Sequence, residues 1–251
     1  MLLDLAADSD VLLVSFAAIP LTDNKPAFAF RSSVIDLPVK KAFFVDPYSA
    51  LYHRGIPDVA GNIYELADCL FRIVQSEGIR RIVCVGNSGG GYAAIALGAL
   101  AGAHEIHAFN PPTRLFNESE YHRRDAVASF AGLVDPQDPT ADLKFLLNQT
   151  QRSTLHTHVY YSIGDSIDRR RCQYLRDSPG VSLVGYPVSS HNLARYLARE
   201  GTITQLLDAS CRTDTAAFDA ALKSSLLRAH LLAGPRELSK IVDKIRHRLA
   251  S

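Results

Sequence analysis

Ser88 is the residue whose surroundings point most directly to chemistry. It stands in Gly86-Asn87-Ser88-Gly89-Gly90-Gly91. A serine hydroxyl attacks a carbonyl only if a base takes its proton and donors receive the charge that builds on the carbonyl oxygen. The G-x-S-x-G spacing serves both needs. A serine held on a tight turn between strand and helix requires neighbours with no side chain to clash. Residues 81–86 (RIVCVG) form an apolar strand pattern, and 90–101 is a run of small apolar residues suited to a helix packed tightly on a sheet. At such a turn the N–H of Gly89 faces the space where an oxyanion forms, and the helix N-terminus adds a favourable field.

Other glycine-rich turns fit less well. Gly89, Gly91 and Ala94 satisfy a loose dinucleotide-binding spacing, but the next strand pattern ends in Asn110 where a ribose-binding acid is needed. A phosphate-binding loop needs a lysine where Tyr92 stands.

A nucleophilic serine needs a base, and the base an orienting acid. Among nine histidines, His191 alone lies downstream of Ser88 on a loop between a strand pattern and a helix pattern. Asp165 directly follows the strand pattern 158–164 (HVYYSIG) and is favoured as the acid. Asp168 is the alternative, but Arg169, Arg170 and Arg171 offer it a surface ion pair. The loop 15–20 (SFAAIP) offers the N–H of Ala17 or Ala18 as a second oxyanion donor. Tyr48, His53, Tyr92, Asn110 and Pro111 fall at the same edge and are candidates for the substrate pocket, although each residue type serves packing equally well.

The elements that must position these residues alternate. Strand patterns at 11–17, 41–46, 81–86, 105–110, 158–164 and 182–187 are mostly continuous apolar runs, as in a parallel sheet buried on both faces. Helical patterns at 61–77, 90–101 and 192–199 lie between them, predicting an α/β fold. Residues 111–157 break the rhythm with a long excursion that predicts an insertion or cap over the site. Residues 213–251 carry no strand pattern and predict two helices, 216–232 and 235–250, divided at Gly234-Pro235. Their seven Lys/Arg against four acids suit a solvated helix face.

Composition narrows the classes. Of 251 residues, 47% are hydrophobic and 21% charged, which excludes wholesale disorder. The 27 Lys+Arg against 26 Asp+Glu disfavour a nucleic-acid binder. Cys69, Cys84, Cys172 and Cys211 form no C-x-x-C pair, so free thiols, no metal site and no cofactor are expected. The first charged side chains are Asp4, Asp8 and Asp10, unlike a basic leader, and no apolar run approaches the ~18 residues a membrane span requires. The expected compartment is the cytoplasm.

With VLLVSFAA, KAFFVDPYS, VGNSGGGYAA, HAFNPPT, SIGDSID and SSHNLARYL in this order, residues 10–210 resemble the α/β-hydrolase superfamily. The elbow followed by Gly-Gly-Tyr-Ala-Ala is also similar to a group of small bacterial hydrolase-like proteins. The resemblance implies a mostly parallel sheet flanked by helices, with chain order nucleophile, acid, histidine. It would make Ser88 the nucleophile, His191 the base and Asp165 or Asp168 the acid. It divides the chain into a catalytic domain, 1–212, and a C-terminal helical extension, 213–251, serving as a lid, a dimer contact or a docking surface. Little room precedes Val11 for the superfamily's first antiparallel strands. The implied activity is serine hydrolysis of an ester or thioester on a small-molecule or acyl-carrying substrate. The alternatives are an acyltransferase using the same triad and a non-catalytic accessory or binding protein. The complete Ser–Asp–His order argues against the last.

Overall fold

A computed structural model describes residues 1–17, 28–117, 132–150 and 154–232. Its frame is a seven-stranded sheet: β1 (Leu2–Asp4), β2 (Val11–Phe16), β3 (Lys40–Phe44), β4 (Arg81–Asn87), β5 (Glu105–Phe109), β6 (His156–Ser162) and β7 (Val181–Tyr186). The order across the sheet is β1-β3-β2-β4-β5-β6-β7. All neighbours are parallel except β1, which runs antiparallel to β3 with Leu2 opposite Phe43. The little room before Val11 holds one antiparallel strand: three residues suffice for an edge strand.

The apolar runs form parallel strands because helices cover both faces. The helices are α1 (Arg31–Val34), α2 (Ile63–Ser76), α3 (Gly89–Ala101), α4 (Leu143–Thr150), α5 (Ser166–Tyr174), α6 (Leu193–Arg199), α7 (Thr202–Cys211) and α8 (Thr215–Leu232). Side chains alternate along each strand. Leu12, Val14, Ile82, Cys84, Ile106 and Val159 face α2, α3, α4 and α5, whereas Leu13, Val83, Val85 and Tyr160 face α1, α6, α7 and α8. Almost every residue of α3 is buried, which explains its lack of a polar stripe.

Three helices lie outside the expected pattern. α5 carries four charged residues in nine, α7 directly follows α6, and α1 is one turn long. The first of the two helices expected in 213–251 is α8, packed on α7 and β7 through Ala221, Ser225 and Ala229. The second, 235–250, lies outside the described residues. Of the excursion 111–157, the described parts include a short 3₁₀ turn at Pro139–Ala141 and α4, which packs on α3; 118–131 and 151–153 lie outside them. Among the described residues, no helix is long and apolar enough to cross a membrane.

Candidate active site

The parallel strands end together at one edge of the sheet, where β4 passes directly into α3 through Ser88. Ser88 has φ 52° and ψ −121°, outside the regions that a side-chain-bearing residue normally adopts. The glycines beside it make that turn feasible. A Cβ on Gly86 would lie 1.9 Å from the Gly90 carbonyl oxygen, and one on Gly90 would lie 2.3 Å from that of Phe16. The chain thus closes on itself and presses against β2, leaving Ser88 partly exposed at the sheet edge.

His191 reaches Ser88 from the loop between β7 and α6, with its Nε2 3.0 Å from Ser88 Oγ. Its Nδ1 lies 2.8 and 2.9 Å from the two carboxylate oxygens of Asp168. A carboxylate only accepts, so Nδ1–H donates to Asp168 and Nε2 accepts the Ser88 hydroxyl. Asp168 is fully buried, with an Arg171 guanidinium nitrogen at 3.5 Å.

Asp168, not the favoured Asp165, therefore faces the histidine. Asp165 is the N-cap of α5 and accepts the N–H groups of Ile167 and Asp168. Capping fixes its carboxylate on its own backbone. Asp168, three residues into the helix, is carried to His191. The signal in the sequence was Asp-x-x-Asp after a strand, a helix start in which the first acid caps. The arginines do not hold Asp168 at the surface; Arg171 is buried beside it.

Of the expected oxyanion donors, Gly89 remains a candidate. As the first residue of α3, Gly89 has an N–H without an acceptor inside its helix. Ala17 is corrected: its N–H donates to the Phe44 carbonyl at 2.9 Å, extending the β2–β3 ladder. Ala18 lies outside the described residues. The Ser88 and Tyr92 N–H groups are also engaged, by the carbonyls of Phe109 and Ser88.

The pocket candidates separate by burial. Tyr48 is exposed, with the Arg54 guanidinium over its ring. The other four are buried and act as framework rather than wall. His53 Nε2 lies 2.7 Å from the Tyr92 hydroxyl, which donates to the Thr140 carbonyl at 2.6 Å, clamping α3 to the loops at 46–60 and 132–142. Burial lowers the His53 pKa to about 4, despite the opposing Asp138 charge. Pro111 packs close to Gly91. Asn110 bridges β5, β6 and the histidine loop: its amide nitrogen donates to the His191 carbonyl at 2.8 Å, and its oxygen accepts the Ser162 N–H at 3.1 Å. It adopts φ 45° there, a conformation asparagine tolerates better than most residues. Ser162 Oγ donates to the Ser190 carbonyl, fixing the same loop.

No protein-family model matches the chain, and no curated protein matches its sequence. Solved structures do match its fold. The capsule O-acetyltransferase of Neisseria meningitidis serogroup A aligns with a TM-score of 0.58 over 79% of this chain and 89% of that one, at 16% identity. Brefeldin A esterase, a bacterial homologue of human hormone sensitive lipase, aligns at 0.53 over 81% and 70%, at 17% identity. A protein of unknown function from Staphylococcus aureus subsp. aureus Mu50 aligns at 0.54 over 86% and 92%, at 12% identity. The chain has an α/β-hydrolase fold, a seven-stranded, mostly parallel sheet with helices on both faces. At these identities the likeness is one of fold.

Proposed function

We propose that the protein is a serine hydrolase acting on an ester or thioester through an acyl-enzyme on Ser88. The observation that carries this reading is the unbroken hydrogen-bond chain Ser88 Oγ–His191 Nε2, His191 Nδ1–Asp168, at 3.0 and 2.8 Å. His191 takes the hydroxyl proton as Ser88 Oγ attacks the carbonyl carbon, and Asp168 holds the imidazole in the tautomer that can accept it. The Gly89 N–H receives the developing oxyanion, a contribution of about 3 kcal/mol for one well-placed donor. Collapse of the tetrahedral intermediate expels the alcohol or thiol, which takes its proton from His191. Water then resolves the acyl-enzyme by the same steps.

Transfer of the acyl group to an alcohol instead of water is the second reading. The N. meningitidis capsule O-acetyltransferase, which aligns with most of this chain, favours it. Both readings share the acyl-enzyme. A fluorophosphonate probe, which phosphorylates an activated serine, is expected to label the protein at Ser88, and Ser88→Ala is expected to abolish labelling while the circular dichroism spectrum persists. An unlabelled wild-type protein, or equal labelling of the variant, removes the serine chemistry.

A further inference from the structure

A groove of about 510 Å³ opens beside the histidine loop. It begins at Ser190 and Asn192, the two neighbours of His191, and continues along α6 past Arg195, Tyr196, Arg199 and Glu200. Arg195 and Arg199 stand four residues apart, so both lie on one helix face. Both are exposed, and among the described residues neither has an ion-pair or hydrogen-bond partner. Among the described residues Glu200 is the one carboxylate on the groove, which leaves their lining positive.

One buried polar atom of the lining also lacks an acceptor, and a second lies near it. Neither Tyr196 Oη nor Arg228 Nε, from α8, has a hydrogen-bond partner among the described residues. Burial and Glu200 raise the Tyr196 phenol above its usual pKa while Arg228 opposes them, which places the guanidinium within electrostatic reach of the hydroxyl. Two arginines without partners among the described residues and the unsatisfied Tyr196 hydroxyl form a set that an anionic oxygen cluster completes.

The position of the groove says which part of a substrate it meets. The proton that His191 takes from Ser88 is passed to the leaving group, so the leaving group departs over His191. We propose that the groove binds a phosphate carried by that leaving group, making the substrate an ester or thioester of a phosphorylated alcohol or thiol. This deepens the serine-hydrolase reading and rests on it. In the step, the Ser88 Oγ–acyl carbon bond forms and the acyl carbon–oxygen or –sulfur bond breaks. The serine proton moves through His191 Nε2 to the departing atom, and the phosphate is held by Arg195, Arg199 and Tyr196. If the acyl group passes to an acceptor, the acceptor occupies the same path in reverse.

The test is binding, which needs no turnover. Calorimetry on the full chain compares pantetheine 4′-phosphate with pantetheine, and glycerol 3-phosphate with glycerol. In at least one pair the phosphorylated member is expected to bind at least about tenfold tighter, the smallest effect expected of one charge-assisted hydrogen bond. The thiol pair marks a thioester substrate, the glycerol pair an oxyester. In the double variant Arg195→Ala/Arg199→Ala the preference is expected to fall to about threefold or less, and Arg195→Lys/Arg199→Lys to retain part of it, because lysine keeps the charge but not the fork. Equal binding within both pairs, or a preference that survives the alanine variant, overturns the groove assignment. Failure of fluorophosphonate labelling overturns the serine chemistry and leaves this readout unchanged, so the two are separable.

Discussion

Two clusters of serine, histidine and acid lie at opposite edges of the same sheet. At the carboxyl edge are Ser88, His191 and Asp168. At the amino edge are Ser210 of α7 with His107 and Glu105 of β5. A cavity of about 390 Å³ opens beside the second cluster, so concavity does not separate them. The route of the hydrogen bonds does. In the first, the histidine uses one nitrogen for the serine and the other for the acid, so a proton can leave the serine. In the second, Ser210 Oγ donates directly to Glu105 at 2.6 Å, while His107 turns the same Nε2 toward both Ser210 and Glu105 and its Nδ1 toward the Tyr160 hydroxyl. The Ser210 proton points at the Glu105 carboxylate, which is held too weak a base to take it, and Ser210 is buried. Burial raises the Glu105 carboxyl, but hydrogen bonds from His107, His158 and Ser210 outweigh it and hold the group well below the usual carboxylate range. Burial also lowers the His107 pKa, against the opposing pull of Glu105. The amino-edge cluster ties α7 to β4 and β5, with Arg81 donating to both Glu105 and the Ser210 carbonyl. The same residue types thus form the proposed proton relay in one place and a clamp in the other.

The sharpest break between the regions is expected at the nucleophile. Ser88→Ala should lower turnover of an activated ester by at least about 10⁴-fold, since a triad works as a unit and only donor stabilisation remains. Steady-state kinetics checks this. A loss below tenfold would mean that the carboxyl-edge cluster is also structural. The next effect separates the two aspartates. Asp168→Asn should lower kcat by about 10³- to 10⁴-fold, because the amide no longer holds His191 in the accepting tautomer. Asp165→Asn should change kcat less than about threefold, because asparagine caps a helix as well as aspartate does. The reverse order would return the orienting role to Asp165.

That pair also marks what could be read without the structure. The elbow was legible because its constraint is local: Gly86 and Gly90 have no room for a Cβ, and the apolar run before Ser88 has a two-sided core to fill. The histidine loop was legible for the same reason, lying between a strand pattern and a helix pattern. The acid was not. Its place depends on α5, whose SIDRRRCQY segment carries little apolar periodicity and is held by its cap and by Cys172 against the core. β1 escaped notice because three edge residues leave no pattern. Ala17 was misassigned because only pairing with Phe44 decides where a strand ends. Asn110 was placed in the pocket, yet its bonds to His191 and Ser162 run across three chain segments that no local pattern connects.

At the amino edge the effects fall on stability. Glu105→Gln leaves Arg81 short of its charge partner and should cost about 3 kcal/mol in urea unfolding, with little change in kcat for the folded fraction. Acid should act next. His53 and His107 both have folded pKa values below the unfolded one. The stability each contributes is therefore present above about pH 6.5 and is lost as pH falls from there. Between pH 7 and pH 5 His53, with its pKa at about 4, accounts for up to about 2 kcal/mol, and His107 acts in the same direction. Urea midpoints across that range are expected to fall steeply for the wild type and less steeply for His53→Gln/His107→Gln. An unchanged slope would show that neither histidine is held neutral.

The smallest expected effect tests the comparison most directly. Ser210→Ala removes a hydroxyl that donates to an ionised, buried carboxylate, and His107 and Arg81 still face that carboxylate. The loss should be about 1.5 kcal/mol, the low end for one hydrogen bond to a charged group, since two other partners still hold the carboxylate. Turnover and fluorophosphonate labelling should stay within twofold of wild type, because the Glu105 carboxylate that faces the Ser210 proton is too weak a base to take it and Ser210 is buried on α7. Loss of labelling in Ser210→Ala with labelling retained in Ser88→Ala would invert the assignment and make the amino edge the reactive one. Loss in both would show that the two clusters are coupled through β5, which carries Glu105 and His107 at one end and leads into Asn110 at the other.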